Sequence, residues 1–374
     1  MGANPLLGVF FHWLGGFASA SFYIPYRGVK RWAWETYWLV GGVFSWIIVP
    51  WILAGLMTRH LWTVLWHSPL HSLIWTYIFG VLWGLGGLTF GLTMRYLGLS
   101  LGMAIALGYT AVFGTLVPPI FRGQFVPEVL GTHSGVIILI GVAVCVVGIG
   151  CAGAAGISKE RELSEEEKRA SIKEFNLKRG LLVATFSGVM SACFAYGLAA
   201  GDPIKALTVQ EGTAPLWQGL PVLVVLLAGG FTTNFIWCVM LHIRNRTGSE
   251  YISAKTRSEE PFEEAVKESI PLGANYIFSA LAGTIWYLQF FFYTMGETQM
   301  GRFKFSSWTL HMASIIIFST LWGIALQEWR GTGLRTRFLV ACTLLVLVGS
   351  TVIVGYGNYL GLGSTASASC LHCR

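Results

Sequence analysis

Apolar residues along this chain gather into ten runs, each closed by a short polar or glycine- and proline-rich stretch. A helix needs about 20 apolar residues to cross a bilayer. Runs of that order fall at 6–26, 36–57, 73–97, 99–121, 136–156, 180–200, 215–241, 270–295, 305–328 and 338–360. The pattern predicts an all-α integral membrane protein with ten transmembrane helices, the third and fourth separated only by a turn near Gly98. Positions also recur between runs. Gly8 is followed by Gly16-x-x-Ser19-Ala20-x-Phe22, and Gly180 by Gly188-x-x-Ser191-Ala192-x-Phe194 at the same spacing. Gly41-Gly42-x-x-Ser45 in the second run has its counterpart in Gly229-Gly230-x-x-Thr233 in the seventh. Five spans per copy is an odd number, so the second copy must lie upside down relative to the first. The expectation is two inverted five-helix repeats, 1–156 and 180–361, joined by a cytoplasmic linker, 157–179, and followed by a flexible tail, 362–374. Inverted repeats of this kind build secondary transporters, with the ligand site near the midplane between the halves.

Composition agrees with lipid as the solvent. Charged residues are only 11% of the chain, against about 25% in a soluble domain, and mean hydropathy is +0.62. The net charge of +7 reads as an orientation signal, and no nucleic-acid partner is expected. Counted by loop, nineteen Lys and Arg fall on the side holding the 157–179 linker and six on the other. The positive-inside rule then places the linker in the cytoplasm and both termini in the periplasm. Ala18-Ser19-Ala20 resembles a signal-peptide cleavage site, but no Lys or Arg precedes the first run. The basic n-region is therefore missing and the run is expected to remain as the first helix. Ser164-Glu165-Glu166-Glu167 has capping-box spacing and predicts a short solvated helix in the linker. Asn245-Arg246-Thr247 matches a glycosylation sequon, which a cytoplasmic loop would make a chance match. Cys370 and Cys373 supply too few ligands for a structural zinc, and no cofactor is expected.

Ionisable side chains inside a membrane are costly and therefore functional candidates. His12 lies mid-span in the first run and His311 early in the ninth, while no Asp or Glu occupies the middle of any run. If proton movement drives the cycle, histidine, with an unperturbed pKa near 6.5, is the expected proton-coupling side chain within the membrane; the alternative for each is a hydrogen bond to a neighbouring helix. Gly8, His12, Gly16 and Ser19 share one helical face, and Trp308, His311 and Ser314 recur at intervals of three. Trp286, Gln289 and Tyr293 share a face of the eighth run, where an amide between aromatic rings suits a sugar. Asn275, Tyr287, Trp83 and Tyr23 complete the candidate substrate contacts. Arg95 and Glu35, at span ends, are candidates for gating contacts or for helix anchoring. No nucleophile–base arrangement or HExxH metal motif supports an enzyme.

Several strings are more specific. They are Phe22-Tyr23-x-Pro25 leading to Lys30-x-Trp32-x-Trp34-Glu35; Gly91-Leu92-Thr93-Met94-Arg95-Tyr96-Leu97-Gly98-x-Ser100; Glu174-Phe175-Asn176-Leu177-Lys178; Trp286-Tyr287-Leu288-Gln289-Phe290-Phe291-Phe292-Tyr293; and Trp308-x-Leu310-His311-Met312. In these the chain resembles the L-rhamnose–proton symporter family of the drug/metabolite transporter superfamily, along nearly its whole length. The resemblance implies proton-coupled uptake of a deoxy-sugar across a bacterial inner membrane. One departure stands out: Gly87, Thr89 and Phe90 follow Trp83-Gly84-x-Gly86 where polar side chains are expected, which predicts a larger, less polar pocket if that face lines it. The alternatives are a related transporter or uncoupled facilitator for another small metabolite, and a membrane sugar sensor without turnover.

Overall fold

A computed structural model describes residues 3–97, 99–162, 176–253 and 270–371. The expected linker helix at Ser164 lies outside these residues, as does Cys373. No strand occurs among the described residues, as the absence of water in a bilayer requires: a helix satisfies its backbone internally and an open strand does not. Ten helices are long and apolar enough to span: α1 Pro5–Tyr26, α2 Trp34–Met57, α3 Leu70–Leu97, α4 Leu101–Phe121, α5 His133–Arg161, α6 Leu177–Gln210, α7 Pro215–Asn245, α8 Leu272–Gln299, α9 Gly301–Ala325 and α10 Leu334–Leu362. The chain is a multi-pass, all-α membrane protein.

Local chemistry starts and bends these helices. The Asn4 side chain accepts a hydrogen bond from the Leu7 N–H, and Asn176 accepts one from the Arg179 N–H. Both act as N-caps, satisfying donors that the first helical turn leaves open. Each lies four residues before the glycine that opens its repeated motif, so the two halves also begin alike. A π-helical turn at Phe44–Ile48 widens α2, and Gly201 divides α6 into Leu177–Ala200 and Asp202–Gln210. The final helix continues to Leu371, so most of the segment expected as a tail is helical.

Small residues let the helices approach one another. A methyl group on Gly16 would overlap Ser314 of α9, and one on Gly188 would overlap Tyr109 of α4. Gly283 of α8 rests on the Gly41 backbone of α2; Gly80 of α3 rests on the backbones of Leu226 and Gly229 of α7. The pairing is reciprocal throughout: α1 packs on α8 and α9, α6 packs on α3 and α4, and α5 packs along α10.

Both ends of the spanning region lie on one face, where Ala3 and Leu362 both adjoin Gly301. On the opposite face, where Glu162 and Asn176 lie, polar contacts tie the helix ends together. Asn275 bridges the Lys30 backbone, accepting from its N–H at 3.0 Å and donating to its carbonyl at 2.8 Å. The Glu250 carboxylate accepts from the Ala33 N–H at 2.8 Å and the Thr36 hydroxyl at 2.6 Å. Glu35 accepts from Asn245 at 2.9 Å and Thr247 at 2.8 Å, which engages both polar residues of the sequon. Arg27 pairs with Glu328, and Glu162 accepts from the Gly333 N–H and the Thr336 hydroxyl.

Candidate functional site

A chamber of about 270 Å³ opens on the face that carries the two ends. Small-molecule sites commonly occupy roughly 300–1,000 Å³, so it has room for one small solute. Its walls come from the last turns of α4 and α8, the bend of α6, the connection from α4 to α5 and the start of α9, with Tyr293 and Trp308 among the ring-bearing lining residues. The chamber is displaced toward one face, and α1 lies behind α8 and α9.

Tyr293 is buried between the two membrane histidines. Its ring centroid lies 5.2 Å from that of His12 and 5.2 Å from that of His311, edge-on to both. Two glycines make this possible. Gly296 leaves space for the His12 ring, and Gly15 sits against His311. His12 and His311 are fully enclosed, and both ring nitrogens of His12 and Nδ1 of His311 have no hydrogen-bond partner among the described residues. Ser314, expected on the same face as His311, places its hydroxyl 2.9 Å from the His12 carbonyl and so ties α9 to α1. Trp308 donates to the Thr110 carbonyl at 2.9 Å, fixing its ring beside the chamber.

Behind this layer the core is aromatic. Phe194, from the repeated motif on α6, stacks on Phe290 at 4.4 Å and on Trp308 at 5.8 Å. Trp83 stands edge-on to Phe194 and Phe290, within the core rather than on the chamber wall. Trp286 packs on Phe22 and Trp38. With Trp46 it lines a narrow cleft between α1, α2 and α8. The indole N–H groups of Trp46 and Trp286 and the Ser45 hydroxyl in that cleft have no partner among the described residues. Gln289 is buried, its amide donating to the Trp286 carbonyl. Tyr287 is enclosed, with its hydroxyl likewise unpaired. The other candidates lie apart. Tyr23 is 56% exposed, Asn275 is engaged by Lys30 on the far face, and Arg95 is exposed near the end of α3. The Gly87–Phe90 face does not line the chamber; Gly87 has open space beside it, and the Thr89 hydroxyl donates within its own helix.

The family of L-rhamnose–proton symport proteins has a model that matches residues 1–365 of this chain. The chain belongs to the L-rhamnose–proton symport family. An L-rhamnose-proton symporter of Salmonella gallinarum is 36% identical over 361 residues, covering 96% of this chain and 98% of that protein. One of Salmonella paratyphi B is 36% identical over 352 residues, covering 94% and 97%.

Within this symport-family fold Arg122, Asp202 and Glu297 line the chamber and Lys205 lies behind them, and none of the four is among the site residues predicted from the sequence. Lys205, from the bent part of α6, is 4% exposed and lies 2.8 Å from a carboxylate oxygen of Glu297 on α8 and 3.2 Å from one of Asp202. Arg122 at the end of α4 reaches the other Asp202 oxygen at 2.6 Å. The available signal was Asp202-Pro203 at a helix start with Lys205 one turn on, a pattern that hydropathy alone counts as a polar loop.

Proposed function

We propose that this protein is a secondary active transporter that takes up L-rhamnose, or a similar neutral deoxy-sugar, together with a proton across the bacterial inner membrane. The observation that carries this reading is a chamber sized for one small solute, open to one face and closed to the other, in a chain similar to L-rhamnose–proton symporters over nearly its whole length. Tyr293 and Trp308 offer ring faces to sugar C–H groups, and the charged wall offers hydroxyl partners. Gln289, Trp286 and Tyr287 lie deeper along the same helix, on the route the sugar would take as the far face opens.

Alternating access would proceed by rocking of two inverted five-helix halves, 1–156 and 180–361, joined by the 157–179 linker. Reciprocal packing supports this arrangement, because exchanging the halves exchanges the α1–α8 and α1–α9 contacts for α6–α3 and α6–α4. The N-caps and the Gly41–Gly283 and Gly229–Gly80 contacts exchange in the same way. The loop charge bias supports a periplasmic position for both termini, which makes the conformation seen here outward-facing. Glu35, Glu250 and Asn275 then close the cytoplasmic side. His12 and His311, sealed between the chamber and that closed side, are placed to meet cytoplasmic water once the inner half opens.

The test is uptake of radiolabelled L-rhamnose into proteoliposomes with and without an inward proton gradient. Accumulation above equilibrium that collapses with a protonophore is expected. Gradient-independent equilibration would mean a facilitator, and binding without transfer of label would mean a sensor.

A further inference from the structure

Four charges at the chamber form a closed set, Arg122 and Lys205 against Asp202 and Glu297, of which Lys205 lies behind the wall and the other three line it. The two carboxylates are not equivalent. Asp202 is held by two cations, Arg122 at 2.6 Å and Lys205 at 3.2 Å, whereas Glu297 is held by Lys205 alone at 2.8 Å. Protonating Asp202 would leave Arg122 with no carboxylate partner, since only Lys205 has Glu297 to fall back on. Protonating Glu297 leaves both still paired with Asp202. Of the two, Glu297 is the one whose charge can be removed with least disturbance, and it lines the chamber while Lys205 is enclosed behind it.

We infer that Glu297 is the group that takes up the transported proton from the chamber, with Lys205 as the counter-charge that holds it when the proton is absent. The inference rests on the symport reading above. In the uptake step a proton from chamber water adds to the Glu297 carboxylate, giving the neutral acid. The charge-assisted bond to Lys205 is lost, and Lys205 keeps its proton and its contact with Asp202. The acid O–H becomes a donor for a sugar hydroxyl.

This gives a physical basis for coupling. The pair bridges the bent end of α6 and the end of α8, two chamber walls that close on each other when the mouth shuts. A buried ion pair adds little net stability against its desolvation cost, while an unpartnered buried charge is expensive. Empty and deprotonated, the wall is self-compensated and can close. With proton and sugar together, the acid has a partner and can close. With a proton alone, a buried acid group lacks its partner, and with sugar alone, the carboxylate remains tied to Lys205 and the sugar hydroxyl is enclosed without the acid donor it needs.

The other groups around Glu297 do not compete for this role. Arg302 and Lys304 at the start of α9 line the chamber as exposed cations, and Glu128, between α4 and α5, lines it from the far side. Tyr293 lies one turn deeper on α8. The His12 ring, from α1, lies against Gly296, and His311 lies beyond Tyr293, both enclosed in this conformation.

The experiment compares wild type, Glu297→Gln and Glu297→Asp in proteoliposomes, measuring proton-driven accumulation of labelled L-rhamnose and its exchange at equal pH on both sides. For Glu297→Gln, exchange is expected to persist at a reduced rate and lose its pH dependence, while the accumulation ratio falls to one. Accumulation like wild type, or exchange with the wild-type pH profile, overturns the proposal. Glu297→Asp keeps a titratable carboxyl and is expected to accumulate sugar with a displaced pH midpoint. An unchanged midpoint overturns the proposal even if Glu297→Gln does not fold. Should wild type itself fail to accumulate L-rhamnose on a proton gradient, the symport reading falls first and this assignment with it.

Discussion

At the scale of single residues, the steric demands are sharply uneven. Gly283 rests on the backbone of Gly41, which has no side chain to move aside, whereas Gly87 has open space. Overpacking at such contacts costs about 1–3 kcal/mol. Gly283→Val should therefore lower the melting temperature measured in detergent, and Gly87→Ala should leave it within error. Tyr293 has a different task, since its ring covers both membrane histidines from the chamber. In Tyr293→Ala, diethyl pyrocarbonate applied from the chamber side should modify His12 and His311 faster than in wild type. An unchanged rate would show that something else seals them. A His311→Ala variant with full proton-coupled uptake would likewise remove that residue from the mechanism, and the same holds for His12.

At the scale of elements, the ten spans were legible because hydropathy is a local property: each run carries its own signature whatever it packs against. The shared face of Gly8, His12, Gly16 and Ser19 was legible for the same reason, since helical period alone lines those residues up. The chamber was not. Asp202 and Lys205 sit just past a helix bend and Glu297 near a helix end, positions that read as water-facing until α6 and α8 are brought together. Asn275 shows the opposite failure. An amide inside an apolar run looked like a ligand contact, but the fold delivers the Lys30 backbone to it. The same contacts set a prediction for closure of the far face. Hydrogen bonds to charged groups are worth about 1.5–3 kcal/mol, so Glu250→Ala should shift the balance toward the inward-open form roughly tenfold or more. Maleimide labelling of a Ser279→Cys reporter from that face would measure it, and an unaltered rate would count against Glu250 as part of the closure. Glu162 adds a pH-resistant tie. The Thr336 hydroxyl, and then the Gly333 N–H, hold its carboxyl below the ordinary carboxylate range. A folded-state pKa lowered in this way keeps the contact at every pH above that range and loses it only as acid reaches the lowered value. Isotope-edited infrared titration of this carboxyl should follow that order.

At the scale of the whole molecule, orientation and connectivity are the testable properties. With the chamber face outward, a cysteine replacing Arg302 should react with a membrane-impermeant reagent on intact cells. One replacing Arg330, between α9 and α10, should react only after permeabilisation. The reverse result would invert the orientation and every statement about which side loads the proton. Connectivity follows from the meeting of Ala3 and Leu362 at Gly301. The chain comes close to forming a ring, and the order in which its halves are encoded is nearly irrelevant to the contacts they make. A gene rearranged to begin at Asn176, run through the second half, cross a short joining peptide and finish with the first half should yield the same assembled carrier. The ribosome would then make the halves in reversed order, and transport by that permuted chain would mean that neither half needs the other as a template to insert.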